Sequence, residues 1–260
     1  MNKYVNRIAA INMSKSNSIS EDEIARFAAI ADDWWDPKGK FRPLHQLNPI
    51  RLQFIRDHLA THFGRHPLHD KPLAGLKIID IGCGGGLLSE PLCRMGADVT
   101  GIDAGSKTIS VAAHHAHQMG LSINYHNRAP ESLADEKGHY DVAVNMEVVE
   151  HVANLGTFLS ASSSLVRPGG AMVLSTINRS LKSLVLAKIG AEYILRWLPA
   201  GTHDWRKFRR PSEIANYIRP YGFSVRVLKG MKYNPVQDIW GLSTDLNVNY
   251  LMFATRNKTN

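Results

Sequence analysis

Two cysteines in 260 residues, Cys83 and Cys93, are too few for a disulfide framework and lack the paired spacing of a zinc site. A reducing compartment fits such a chain. No apolar run reaches the roughly 18 residues that a membrane-spanning helix needs, so any membrane role has to be played from the surface. There is no low-complexity linker and no internal repeat. An Asn/Asp-Pro-Pro-Tyr/Phe motif for methylating a base amino group, a cysteine placed to attack a base and a separate RNA-binding module are all missing, which argues against a nucleic-acid partner. The N-terminal stretch of 20 residues holds Lys3, Arg7 and Lys15 but no acid. Without an arginine-rich amphipathic pattern it reads as a flexible tail rather than a transit sequence.

What the chain does have is 44% hydrophobic residues, 21% charged residues and a net charge of +8 with a pI near 9.5. Such a composition builds a globular core, and the charge suits nucleic acid, anionic lipid or acidic solutes. Periodicity predicts helices over Glu21 to Ala31 and Pro49 to Phe63. From Leu76 short apolar runs alternate with helical segments: Leu76 to Ile81, a helix through Leu87 to Met95, Val99 to Ile102, a helix through Ser106 to Gln118, Ile123 to Tyr125, Asp141 to Val144 and Ala171 to Ser175. The alternation predicts an α/β fold whose parallel sheet carries helices on both faces. One domain over residues 21–260 is expected, with N-terminal helices (21–75), a core (76–176), an insert (177–211) and a C-terminal part (212–260). In that last part Ser212 to Tyr221 reads as a helix, and Phe223 to Leu228 and Asn249 to Ala254 as strands.

The chemistry concentrates where Ile78-Ile79-Asp80-Ile81 runs into Gly82-Cys83-Gly84-Gly85-Gly86. Glycines at a strand-to-helix turn allow positive φ and let a ligand lie against bare backbone. Leu87 stands where a dinucleotide fingerprint needs its third glycine, so that fingerprint is not met. Asp80 beside the loop suits a cationic amino-acid ligand better than a diphosphate, and S-adenosylmethionine carries a sulfonium and an ammonium. Asp103 closes the next apolar run, where a carboxylate can accept from ribose hydroxyls. Asp80, Gly82, Gly84 and Asp103 are therefore cofactor-binding candidates. The arrangement resembles the first motif of class I methyltransferases, which implies a Rossmann-like sheet of seven strands in the order 3-2-1-4-5-7-6, the last antiparallel, with an insert after strand 5.

At the end of the fourth expected strand stands Met146-Glu147-Val148-Val149-Glu150-His151. If Glu147 opens a helical turn, Glu150 and His151 share its face. Two carboxylates and an imidazole there suit a divalent cation, magnesium by preference, although the imidazole also admits zinc, manganese or iron. A metal would lower the pKa of a bound phenol. The alternative is that the acids are solvated and His151 packs or caps.

Trp34-Trp35-Asp36, Pro43-Leu44-His45, Asn48-Pro49-Ile50-Arg51, the loop from Asp80, the segment Met146 to Val152, Gly190 to Arg196, Gly201-Thr202-His203-Asp204, Tyr233-Asn234-Pro235 and Val248-Asn249-Tyr250 together resemble one family. It is the ubiquinone-biosynthesis O-methyltransferases, and the resemblance spans about Glu23 to Asn257. It implies methyl transfer from S-adenosylmethionine to ring hydroxyls of a polyprenyl hydroxyphenol and of demethylubiquinol. It also implies that Arg51, Gly82, Asp103 and Met146 contact the cofactor and that Glu147, Glu150 and His151 are metal positions. Deprotonation of the phenol falls to His151, to His203 beside Asp204, or to the metal. Adenine contacts near Asn127 to Glu131 stay open.

The insert Leu181 to Leu198 is apolar enough for a membrane interface and too interrupted to span one, and Arg206, Lys207, Arg209 and Arg210 follow it as a basic cluster. These features predict a peripheral enzyme on the cytoplasmic face of an inner membrane, with the mitochondrial matrix as the alternative. A polyprenyl substrate, an anionic surface and a ubiquinone-biosynthesis complex are the expected partners. The competing reading is a helix packed on the sheet with its charges in water.

Overall fold

The computed structural model describes residues 18–183, 205–234 and 236–258. The sheet is built from β1 (Lys77–Ile81), β2 (Asp98–Asp103), β3 (Asn124–Asn127), β4 (Tyr140–Met146), β5 (Val166–Ile177), β6 (Phe223–Asn234), β7 (Ile239–Ser243) and β8 (Asn249–Arg256). Their order is β3-β2-β1-β4-β5-β8-β6-β7. The first five are parallel, and β8 enters antiparallel between β5 and β6. With β6 counted as the sixth strand and β8 as the last, this is the expected 3-2-1-4-5-7-6 order plus one strand. The addition is β7, which extends a hairpin from β6 and makes eight strands instead of seven. Its short run, interrupted by Gly241, carries little strand signal of its own.

The helices are α1 (Glu21–Ala28), α2 (Arg42–His62), α3 (Ser89–Arg94), α4 (Ser106–Gln118), α5 (Leu155–Leu165) and α6 (Pro211–Ile218). Glu21, Asp22 and Glu23 place negative charge in the first turn of α1, where the helix dipole favours it. That helix stops at Ala28, short of the expected Ala31. Helix α2 starts seven residues before the expected Pro49, with Pro43 in its first turn and Pro49 inside it. Asn154 caps α5 by accepting from the Thr157 amide at 3.0 Å.

Strand alternation separates two apolar layers. Ile79, Ile81, Met172, Leu174, Tyr250 and Met252 face one layer with Phe158 and Leu159 of α5 and Ile214 of α6. Ile78, Val99, Val142, Val173, Leu251 and Phe253 face the other, with Phe54, Ile55 and Leu59 of α2 and Leu92 of α3. Burial on both faces follows from the β-branched and aliphatic runs of the central strands. The carboxyl ends of β1, β2 and β4 then meet at one edge, where ligands of open α/β sheets bind.

Candidate active site

One cavity of about 440 Å³ opens at that edge. Its lining joins Asp80, Gly82, Gly84, Asp103, Arg51, Met146, Glu147, Glu150 and His151, so every described site candidate of the sequence lies in it. The exception is His203, which falls with Asp204 and most of the insert in residues 184–204, outside the described residues.

On the cofactor side the backbone does the positioning. The amides of Gly82 and Cys83 both donate to the Ile102 carbonyl, at 2.8 and 3.0 Å, and tie the loop to β2. Gly82 and Gly84 have φ of 74° and 55°, which a side chain rarely tolerates. Asp103 accepts from the Gly84 amide at 3.1 Å and from the Gly105 amide at 2.8 Å. A carboxylate has about four acceptor positions, so capacity for ribose hydroxyls remains. Asp80 is 2% exposed and accepts from Ser89 Oγ at 2.6 Å, which makes Ser89 a support that the sequence did not single out. Burial raises the Asp80 carboxyl to about 7 against the pull of Ser89, and burial also raises Asp103. Neither acid has a salt bridge among the described residues. Two buried carboxylates without a cation suit a ligand that carries positive charge.

The space beside the glycines is filled by the protein itself. A Cβ on Gly82 would stand 2.4 Å from Val148, one on Gly84 2.5 Å from the Trp34 ring, and one on Gly86 2.4 Å from the Tyr125 hydroxyl. Close approach is thus the reason for these glycines, as expected, but the approaching groups include the chain's own side chains. Cys83 sits among them, 6% exposed, with its thiol pushed well up by burial.

On the other side long-range side-chain pairs do the positioning. Arg51, 4% exposed in α2, is ion-paired with Glu147, and Ser175 Oγ donates to Glu147 at 2.8 Å. Thr176 Oγ1 donates to buried Glu150 at 2.8 Å, and burial raises the Glu150 carboxyl. Nδ1 of His151 lies 3.2 Å from Glu23 of α1, and Phe27 meets its ring edge-on at 5.4 Å. Burial pulls the imidazole down, but the Glu23 bond together with the charges of Glu150 and Glu23 outweighs it and the net shift is upward; the same bond holds Glu23 at about 2. Lys207, from the basic cluster, reaches Glu23 at 3.4 Å.

This geometry corrects the helical premise of the metal reading. Glu147 has φ 50°, the left-handed region, and residues 147–151 form an irregular turn with no shared helical face. Among the described residues no three His, Cys, Asp or Glu side chains are grouped to hold a metal ion. Glu147, Glu150 and His151 line one cavity, but each turns to a different partner. As placed, they do not fit a metal.

Residues 21–228 match the family model described as "Methyltransferase domain". The chain is 50% identical to a ubiquinone biosynthesis O-methyltransferase of Paramagnetospirillum magneticum over 94% of its length and 98% of that protein's. It is 51% identical to one of Cereibacter sphaeroides over 94% and 99%. The chain belongs to the ubiquinone biosynthesis O-methyltransferase family. It is an S-adenosylmethionine-dependent methyltransferase. Among solved structures, magnesium protoporphyrin IX methyltransferase of Synechocystis PCC 6803, with bound S-adenosylhomocysteine, is similar at TM-score 0.55 and 25% identity, over 80% of this chain and 85% of that one. A protein of Galdieria sulphuraria described as a "putative sarcosine dimethylglycine methyltransferase", at 10% identity and TM-score 0.57 over 80% of this chain and 85% of that one, shares the fold.

For a member of the ubiquinone biosynthesis O-methyltransferase family, the described residues add supports that spacing did not reveal: Glu23 behind His151, Ser175 and Thr176 behind the two glutamates, and Ser89 behind Asp80. The only advance signal for Glu23 is its place on the same helix face as Phe27, four positions on.

Proposed function

We propose that the chain methylates ring hydroxyls of polyprenylated phenols and catechols on the way to ubiquinone, a polyprenyl hydroxyphenol and demethylubiquinol among them. The reading is supported by the relatives' shared name and, in this molecule, by one juxtaposition. The cavity that holds the cofactor candidates is also lined by Ile24, Phe27, Ile30, Val148 and Val152, together with Glu150 and His151. An aromatic ring with an apolar tail matches those apolar side chains, and the buried polar groups match its hydroxyls.

Gly82, Gly84, Asp80, Asp103, Arg51 and Met146 would hold S-adenosylmethionine, which supplies an electrophilic methyl for in-line transfer to oxygen. Asp103 accepts from the ribose, Asp80 balances the ammonium and Met146 packs on the adenosine. His151, fixed by Glu23 and Phe27, takes the phenol proton as the oxygen attacks. Orienting the two reactants in attack geometry is worth about 7–11 kcal/mol in well-ordered systems. His203 is the competing base, and a His151→Ala variant with retained turnover would favour it.

The test is methyl transfer from labelled S-adenosylmethionine to a short-chain demethylubiquinol, with magnesium and after chelation. Product in both conditions supports the substrate and a base that needs no metal, and the His151→Ala variant then decides between His151 and His203. Product that vanishes on chelation and returns with magnesium would require Glu147 to leave Arg51 for the metal. No product, with cofactor binding confirmed, refutes the acceptor class.

Residence on an anionic membrane surface, within a biosynthetic assembly on the cytoplasmic or matrix face, belongs to the same reading. Among the described residues no helix is long and apolar enough to cross a membrane. Arg206 and Arg210 are exposed, while Lys207 is partly committed to Glu23. Flotation with anionic vesicles should fail after Arg206, Lys207, Arg209 and Arg210 are neutralised.

A further inference from the structure

Two adjacent indoles clasp the glycine loop, and they differ in one respect. Trp35 stacks on His115 at 3.5 Å and donates its Nε1 hydrogen to the Gly85 carbonyl at 2.9 Å. Trp34 lies along the same loop, its six-membered ring within 2.5 Å of a Cβ built on Gly84 and its Cγ within 2.5 Å of one on Gly85. Phe41 stacks on it at 3.8 Å, and His45 Nε2 lies 2.9 Å from its carbonyl oxygen. The side chain is therefore fixed, 7% exposed, and part of the cavity wall. Yet its Nε1 is shut from solvent with no acceptor among the described residues.

An indole N–H can only donate, and leaving such a donor buried and unmet is costly. The same cavity wall holds a second side chain of this kind. Arg51 is charge-paired with Glu147 through Nη2, but its Nε is shut from solvent with no acceptor among the described residues. Buried donors without acceptors, on two side chains of one cavity, call for a ligand group that only accepts and carries negative charge. At the amino-acid end of S-adenosylmethionine that group is the carboxylate.

We propose that the Trp34 indole N–H donates to the cofactor's carboxylate, next to Arg51, and so fixes the amino-acid end against the glycine loop. The assignment rests on the reading of this cavity as the cofactor site. It also gives the two tryptophans separate tasks: Trp35 holds the loop, and Trp34 holds the ligand on it.

The test compares binding of S-adenosylhomocysteine with binding of its decarboxylated counterpart, which keeps the ammonium and thioether, by calorimetry on the full chain. Trp34→Phe keeps an aromatic ring beside Gly84 and Gly85 but removes the N–H together with part of the indole, so the decarboxylated ligand serves as the control for lost packing. It should weaken S-adenosylhomocysteine about tenfold more than the decarboxylated ligand, as expected for a hydrogen bond to a charged group. Trp35→Phe, measured alongside, should weaken both ligands alike through the loop. Equal losses for both ligands in Trp34→Phe, or no loss in either, would overturn the proposal. Failure of the unmodified protein to bind either ligand would instead overturn the cofactor reading beneath it.

Discussion

The two halves of the cavity are built by different means. Around Asp80 and Asp103 the scaffold is local: strand, glycine turn and helix follow one another, and the bonds run to nearby amides and to Ser89. Around His151 the scaffold is assembled from afar, with Glu23 of α1, Arg51 of α2, Thr176 of β5 and Lys207 converging on one turn. The electrostatics differ as well. Cofactor-side carboxyls are buried without cations and their pKa values are raised; on the other side burial raises Glu150 as well, but Glu23 is surrounded by His151, Arg26 and Lys207 and its pKa is lowered. A ligand completes the first half; the protein completes the second.

The strongest way to break this comparison is Asp103→Ala. It should weaken S-adenosylmethionine binding by about 10–100-fold, the range for a lost hydrogen bond to a charged group, with the fold retained. Calorimetry showing unchanged affinity would remove Asp103 from the ribose.

Stability should then change in opposite directions on the two sides. Glu23→Gln should destabilise by roughly 1–3 kcal/mol near pH 6, since Glu23 falls from 4.5 to about 2 on folding. A lowered carboxyl contributes above pH 4.5 and loses that contribution as pH falls through about 2. The raised His151 contributes fully below 6.5 and loses its share as pH rises through its folded value. The deficit of Glu23→Gln should therefore be widest between these limits and narrow on both sides, as followed by denaturant melts across pH. Asp80→Asn should do the reverse. Its carboxyl rises from 3.8 to about 7 on folding, so the wild type loses stability as pH climbs through that window. At pH 8 the variant should gain on the order of 1–3 kcal/mol while binding the cofactor less well, a trade of stability against function. Equal signs for the two variants would show that the halves are not electrostatically distinct.

The smallest expected effect concerns affinity in Glu150→Gln. Cofactor binding should change by less than about twofold, because Glu150 is held by Thr176 on the acceptor side, while turnover falls. A parallel drop in cofactor affinity would merge the two sites.

The same contrast explains what could be read in advance. Asp80, the glycines and Asp103 were legible because a strand ending in an acid, a glycine turn and a second acid-ended strand is a local pattern whose spacing survives folding. The strand order followed from the family resemblance, and the two-faced alternation of Ile78, Ile79 and Ile81 is present in the apolar pattern itself. Glu23 was not legible, since 128 positions separate it from His151 and no periodicity spans such a distance. The helical face expected for Glu147, Glu150 and His151 failed at one backbone angle: φ of 50° at Glu147 turns the chain away before a helix can start. Spacing of three and four implies a common face only where the intervening backbone is helical. Strand β7 was missed because it draws its order from pairing with β6 rather than from its own residues.

Burial of Cys83 equips the molecule with its own clock. Its thiol lies under the cofactor loop, 6% exposed and pushed well up in pKa, whereas Cys93 is partly accessible at the end of α3. A thiol reagent should therefore mark Cys93 early and reach Cys83 only when the junction of β1 and β2 opens. Counting the second label over time would measure how often that junction breathes, with no dye, tag or substrate attached.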